Sequence, residues 1–241
     1  MDFPVYSREF ISFLGKKLIF GLREDTADFD VVQSVVVQDE YNLKAIPFFD
    51  GDICIDVGAY IGSVSLLLAS LDKKLKIYSY EPLPENVDLL KKNAFQNGFS
   101  NIFPFCLAVG GKEGKLKIHY GNEETESGRR HHFIGNSSAV PWKRFYEADT
   151  ITLEKIFLDN KIGKCKLVKL DPEGEELNIL EACPLEILKK IDYIVGEHHF
   201  VKRDKILKAT KGLFEDLPCP WQTETELGHF WFKNKNLYGK T

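Results

Sequence analysis

Cysteine is sparse in this chain, and nothing in its placement staples or ligates. Cys54, Cys106, Cys165, Cys183 and Cys219 are odd in number and widely spaced, with no C-x-x-C pair. That excludes a zinc ribbon or a disulfide framework and points to a reducing compartment. No apolar run approaches the roughly 18 residues that a membrane span needs. The opening Met1-Asp2-Phe3-Pro4 has no basic region ahead of an apolar core, so no signal peptide is expected and a cytoplasmic location is. A basic surplus is missing too: 32 Lys and Arg stand against 36 Asp and Glu, a net charge of −4. This argues against a nucleic-acid-gripping role, because neutralising phosphates takes a clear excess of positive charge. The only local basic patch, Arg129-Arg130-His131-His132, is short. There are no internal repeats and no low-complexity tract, so nothing marks a break between two domains. With 241 residues, 44% of them hydrophobic, the chain can bury a sizeable core unaided.

Hydrophobic pattern and breakers divide the chain into alternating strands and helices. Residues 17–22 read as a short strand, and Asp28 as the cap of a helix over about 29–42. Strands follow at 53–57, 75–80, 102–109, 167–170 and 191–196, with helices at 64–69, 84–97, 174–182 and 204–214. Residues 223–227 and 229–233 read as a hairpin turning at Gly228. Such alternation implies α/β architecture, a parallel sheet with helices on both faces, here closed by an antiparallel edge. Residues 1–50 read as an extension packed on the core, and 51–241 as the main domain with an insertion over 110–150. That insertion holds a strand at 115–120, a polar run from Gly121 to Gly135, and then Asn136-Ser137-Ser138. A polar run of this length inside a compact domain suggests a lid over a ligand.

The strongest local motif is Asp56-Val57-Gly58-Ala59-Tyr60-Ile61-Gly62, at a strand-to-helix turn. Gly58 lets backbone approach a ligand and Gly62 lets the next helix pack closely. A dinucleotide fingerprint has glycines spaced G-x-G-x-x-G, whereas here they stand four apart, with an acid just before them. An acid there conflicts with a pyrophosphate. S-adenosylmethionine resolves the conflict, since its methionine end carries an ammonium for Asp56 and a carboxylate for the helix terminus. Glu81, ending the next strand before Pro82, suits the two hydroxyls of a ribose. It would serve a nicotinamide cofactor equally well, and both acids could instead be plain strand ends. An apolar slot for adenine is expected near Cys106, Leu107 and Ala108.

These residues resemble the FkbM family of S-adenosylmethionine-dependent methyltransferases. The matching stretches are Asp56–Gly62, Tyr80-Glu-Pro-Leu-Pro-Glu-Asn86 with Leu89–Asn93 and Asn97-Gly98, Ala108-Val109-Gly110, Thr152-Leu153, and Lys169-Leu-Asp-Pro-Glu-Gly174 with Glu176 and Leu180. They span about half the chain in the family's order. The resemblance implies the class I methyltransferase fold, a Rossmann-like, doubly wound, seven-stranded sheet of order 3-2-1-4-5-7-6. It also implies methyl transfer, usually to a hydroxyl of a sugar or natural product. Tyr60 stands where the family usually has Asn, and Pro172 where it usually has an apolar or small residue.

A second cluster is expected at the carboxyl edge of the later strands. Lys169 lies in an apolar strand on the same face as Asp171. A buried lysine needs a partner, and Asp171, Glu173 or Glu197 could supply it. Asp171 and Glu173 fall where open α/β sheets bind ligands, while Glu175 and Glu176 are explained by helix capping. Glu197-His198-His199 ends the next strand. In one version His198 is the general base oriented by Asp171; in another, Asp171 and Glu197 hold a divalent ion. The expected partner is a small-molecule or glycan acceptor. The competing functions are a nicotinamide-dependent oxidoreductase and a methyltransferase-like fold that binds without catalysis.

Overall fold

The computed structural model describes residues 4–120 and 144–239. In chain order the strands are β1 (Val5–Ile11), β2 (Lys17–Arg23), β3 (Ile53–Val57), β4 (Lys76–Tyr80), β5 (Ile102–Phe105), β6 (Ala108–Val109), β7 (Gly114–Tyr120), β8 (Arg144–Ile151), β9 (Cys165–Leu170), β10 (Ile191–His199), β11 (Phe214–Asp216) and β12 (Leu227–Asn234). The α-helices are α1 (Asp28–Val32), α2 (Ser63–Ala69), α3 (Pro84–Gln96), α4 (Leu153–Asp159), α5 (Glu176–Ala182), α6 (Leu185–Leu188) and α7 (Arg203–Ala209).

Seven strands form the main sheet, in the order β5-β4-β3-β9-β10-β12-β11. The first five run parallel, and β12 is antiparallel to both β10 and β11. Counting only these strands in chain order, the sheet reads 3-2-1-4-5-7-6, as the family resemblance implies. The direction of winding reverses between β3 and β9, the place where open α/β sheets of this kind form a crevice at the carboxyl ends of their strands.

Alternation along the strands sorts the core into two layers. Cys54, Leu167 and Val195 face one buried cluster with Leu66, Leu67 and Leu90, while Ile55, Val168 and Ile194 face another with Phe157, Ile179 and Ile206. The N-terminal segment belongs to the first layer: Phe10, Leu18, Phe20, Val32 and Val36 are buried in it. The β2 backbone is also tied to α3, since Gly21 N–H donates to Asn93 Oδ1 (2.7 Å) and Ile19 N–H to Asn97 Oδ1 (2.9 Å).

Four expectations are corrected. The helix over 29–42 is α1 followed by a single π-helical turn over Gln33–Val37. Valines crowd this stretch, and β-branched side chains stiffen against helical packing; Asp39 and Asn42 then take positive φ. Asp28 does not cap that helix, because its carboxylate turns to Arg23. The strand over 102–109 breaks at Cys106-Leu107, so that β6 leaves the main sheet and joins β8 and β7. The helix over 204–214 stops at Ala209; Lys211 and Gly212 take positive φ and Phe214 begins β11.

The antiparallel edge is present, but Gly228 does not turn it. β12 runs straight through Gly228, and its hairpin partner is β11. A Cβ at Gly228 would lie 2.4 Å from the Thr223 side-chain Oγ1, so any other residue there would have to displace Thr223. The polar run over 121–135, Asn136-Ser137-Ser138, and hence the expected lid, lie outside the described residues.

The N-terminal segment closes on a buried ion pair. Arg23 and Asp28 are 8% and 0% exposed and meet at 2.9 Å, with Asp28 also accepting from the Arg23 backbone N–H and Nε and from the Tyr60 hydroxyl. Replacing Asp28 by Ala strands a buried guanidinium, so a loss of about 3–5 kcal/mol is expected. Urea unfolding of Asp28→Ala against the parent chain measures it; a loss below 1 kcal/mol is incompatible with a buried pair.

Candidate active site

The turn after β3 is shaped by backbone contact. Gly58 has φ +71°, and a Cβ there would lie 2.0 Å from the Asp171 carbonyl oxygen. The loops leaving β3 and β9 therefore touch main chain to main chain. Lys169 locks that contact: its ammonium donates to the carbonyls of Gly58 (2.7 Å) and Val57 (3.2 Å), and lies 3.5 Å from both Asp56 and Asp171. Burial opposes the charge on Lys169, but Asp171 and Asp56 outweigh it and hold its pKa above the ordinary value.

Asp56 is fully buried beneath the turn, where its Oδ2 accepts from Ser65 Oγ at 2.6 Å. It is absent from the wall of the crevice, because strand alternation aims it at α2 and Lys169. The expectation that it meets an ammonium directly is thus corrected. Ser63 does line the crevice, and its Oγ has no hydrogen-bond partner among the described residues.

Glu81 sits in the crevice wall with Gly58, Ala59, Tyr60 and Pro82. Its carboxylate accepts from Tyr60 N–H, Leu83 N–H and Asn86 Nδ2, each at 3.0 Å. Burial pushes its pKa up against these three donors. Asn86 accepts in turn from Arg23 Nη1 at 2.8 Å, so the orientation of Glu81 is set from the N-terminal segment. Tyr60 has φ +51°, a left-handed conformation that Asn adopts more readily than bulky residues. Its hydroxyl bonds Asp28 and the Arg23 guanidinium lies 5.3 Å from its ring centroid. The residue that departs from the family pattern is thereby built into the network behind Glu81.

The remaining wall comes from Leu83 and Asn86 of the quoted Tyr80–Asn86 stretch, from Val64 and Lys169, and from residues to which the sequence assigned no part in a site: Ala27, Val31, Val35 and Tyr41 of the N-terminal segment, and Ile118. Leu107 and Ala108 are not in it. Ala108 is 2% exposed and packs behind Leu83 and Ile118, and Leu107 packs against the second core layer. The apolar end of the crevice is therefore formed one layer in front of the expected slot.

Asp171 and Glu173 close the other end. Asp171 Oδ2 accepts from the Tyr41 hydroxyl at 2.8 Å. Burial works against its charge, yet Lys169, His199 and Tyr41 keep Asp171 below the ordinary carboxylate range. Burial, and then the Asp171 charge, push Glu173 up to about 8. The same two causes push Glu197 up to about 7. Glu40, also raised to about 7, is moved chiefly by burial, which outweighs a hydrogen bond from Ser34; the charge of Asp171 adds to the rise.

Of the two histidines, the structure brings His199 to this cluster and not His198. His199 Nδ1 lies 2.9 Å from Glu176 Oε1, and Nε2 lies 3.2 Å from Glu173 and 3.8 Å from Glu197. Burial opposes its charge, but Glu176, Glu173 and Asp171 raise it to about 10. His198 points to the other side of the sheet, fully buried, with Nδ1 2.8 Å from the Val201 carbonyl, and burial pulls it below its ordinary value. Residues 197 and 199 share a face and 198 does not; the sequence order Glu-His-His holds that signal. Glu176, assigned to capping alone, is fully buried and also holds His199. Ligand atoms of Asp171, Glu173 and His199 lie within 4.8 Å of one another, a spacing that one divalent ion could bridge. Glu197 is not in that set.

A doubly wound sheet of this strand order, with a crevice at its reversal point walled by a glycine turn and a carboxylate ending the next strand, defines a class I methyltransferase-like α/β protein. The chain belongs to the methyltransferase FkbM domain family, whose model matches residues 56–219. It is 20% identical over 181 residues to the hexuronic acid methyltransferase AglP of Haloferax volcanii, which covers 75% of this chain and 66% of that protein. The chain thus spans just under two thirds of that relative. Among solved structures it is similar to an rRNA methylase from Streptococcus thermophilus (TM-score 0.47, 11% identity, 83% of this chain and 95% of that one). It is also similar to magnesium protoporphyrin IX methyltransferase from Synechocystis with bound S-adenosylmethionine (TM-score 0.45, 11% identity, 86% and 79%).

Two variants test the cofactor end. Gly58→Ala drives a methyl group into the Asp171 carbonyl and should abolish S-adenosylhomocysteine binding. Glu81→Ala loses hydrogen bonds to a charged acceptor worth about 1.5–3 kcal/mol each, so affinity should fall at least ten-fold. Calorimetric titration reads both; unchanged affinity in Glu81→Ala removes that carboxylate from the site.

Proposed function

We propose that this chain catalyses S-adenosylmethionine-dependent methylation of a hydroxyl oxygen on a sugar, glycan or natural product. The observation that carries the reading is that Glu173, a carboxylate raised to about 8, lines the same crevice as Glu81. A hydrogen-bond acceptor placed for ribose hydroxyls and a carboxylate placed for general-base assistance thus face one cavity. Membership of the FkbM family favours this over the nicotinamide alternative. The name of the archaeal relative, a hexuronic acid methyltransferase, supports a sugar-like acceptor.

S-adenosylmethionine, when bound, supplies an electrophilic methyl group on a sulfonium that leaves as a neutral thioether. Glu81 is placed to accept ribose hydroxyls, and Leu83 with Ile118 to flank the adenine. The unpartnered Ser63 hydroxyl is placed for the methionine carboxylate. Asp171, kept ionised by Lys169, is a weak base and suits orientation of the acceptor. Glu173 accepts the acceptor proton, since general base catalysis is most effective when the pKa lies near the working pH. His199, with a pKa near 10, is already protonated at neutral pH. It acts as a positioning residue, holding Glu173 through Nε2 while Glu176 holds Nδ1. This replaces His198 as the histidine of the cluster.

The proposed reaction is the metal-free one, in which His199 keeps its proton; the alternative is a divalent ion held by Asp171, Glu173 and His199, whose binding would release that proton. Chelation should therefore leave turnover intact; loss restored by magnesium would sink the metal-free version. The base must be deprotonated to act, so kcat should rise as pH increases through about 8 and level off above it. Glu173→Gln should lower kcat by about 10²–10⁴-fold and flatten that rise, with S-adenosylhomocysteine affinity unchanged. A Glu173→Gln profile that keeps both rate and inflection assigns the base elsewhere.

A further inference from the structure

Beside the acid cluster, outside the cofactor crevice, lies a shallow groove lined by His199, Phe200, Thr225, Glu226 and Leu227. We propose that it is an acceptor subsite holding an uncharged pyranose ring, next to the unit that is methylated. The inference rests on the methyl-transfer reading for its purpose, though not for its geometry.

The groove is continuous with the reaction centre through one side chain. His199, whose Nε2 faces Glu173 and Glu197, is also part of the groove lining. Leu227 is the direct antiparallel partner of His199, and residues directly opposite in such a pair project from the same face. The isobutyl group of Leu227 therefore lies on the side of the sheet that carries the acid cluster. Phe200 sets its ring centroid 6.3 Å from that of His199.

Both apolar residues are held out in solvent: Phe200 is 61% and Leu227 54% exposed. Phe200 does so at φ +60°, a conformation that bulky residues rarely adopt. A chain end that merely needed to turn would be served by glycine or asparagine. Instead an aromatic face and an aliphatic group flank an imidazole, with the Glu226 carboxylate and the Thr225 hydroxyl in the same lining. A ligand matching this has an apolar face for Phe200 and Leu227 and a rim of hydroxyls for the polar groups, which describes a pyranose. The charge narrows it further. Glu226 lies in the groove, and Glu173, Glu176 and Glu197 stand behind His199. His199 also lines the groove, but Glu176 and Glu173 take up its two ring nitrogens, so the charge left facing outward is that of Glu226. A uronate ring would meet that carboxylate, whereas an uncharged ring offers it hydroxyl donors.

Binding can be read without turnover. The full chain, saturated with S-adenosylhomocysteine, is mixed with methyl β-D-glucopyranoside, methyl β-D-galactopyranoside, cellobiose, lactose or methyl β-D-glucuronide, and saturation-transfer NMR records which sugar protons contact the protein. Transfer is expected to the axial C–H protons of one neutral ring, with at least five-fold weaker signal for the glucuronide. Phe200→Asn keeps a residue that tolerates positive φ while removing the ring, and Leu227→Ser removes the opposite wall. Each should reduce saccharide transfer at least five-fold and leave S-adenosylhomocysteine affinity within two-fold by calorimetry. No transfer from any sugar, equal transfer in both variants, or preference for the glucuronide overturns the subsite. Failure of S-adenosylhomocysteine to bind, with sugar contacts intact and lost in the variants, overturns the methyl-transfer reading and leaves the groove standing.

Discussion

The ammonium of Lys169 reaches two carbonyls and two carboxylates from a position only 3% exposed. An isolated charge at that depth would be costly, and an incomplete set of partners would leave part of the cost unmet. The complete set comes from three places: the buried Asp56 of β3, the carbonyls leading out of that strand, and Asp171 just beyond β9. Satisfying the lysine therefore requires the carboxyl ends of β3 and β9 to be held in register, where Asp56 and Lys169 are Cα partners. Gly58 can then lie against the Asp171 carbonyl, and the crevice opens in front of that contact. Crevice and acid cluster meet at one ion-pair knot.

The same knot separates acids of identical type into different roles. Asp171 is beside Lys169 and stays ionised; Glu173, two residues on, is raised to about 8 by burial and by the charge of Asp171. Pairs of titratable groups driven apart in this way are a common sign of acid–base assignment. The backbone assists, since Glu173 and Gly174 both take positive φ between β9 and α5, turning the carboxylate back over the crevice. Pro172 enters this turn, where the family resemblance implies an apolar or small residue, and restricts the same bend.

The N-terminal segment contributes more than cover. Its valines form one wall of the crevice, Tyr41 bonds Asp171, and Arg23 reaches Glu81 through Asn86. It lies ahead of the residues matched by the family model, yet it touches both ends of the site. Tyr60 joins the two: its hydroxyl bonds Asp28 while its backbone N–H bonds Glu81.

The amino-acid sequence alone determined the alternation of strands and helices, the glycine turn, Glu81 at the end of the next strand, and Lys169 and Asp171 on one face. These are local: each depends on period, on a breaker, or on adjacent residues in one strand. Element ends were misplaced where a side chain or strand residue met a partner outside its own element. Asp28 opens α1 but turns its carboxylate to Arg23, and Gly228 lies inside β12 against Thr223 and not in a turn. The choice between His198 and His199 was in principle local, since strand period separates them, but which face carried the acids was not. Only tertiary structure decided that, because the acids arrive from β9 and α5, and their shifted pKa values follow from shared burial. It also decided which of two strand-end acids faces the crevice. Asp56 and Glu81 look alike along the chain, and packing buries one beneath the turn while leaving the other in the wall.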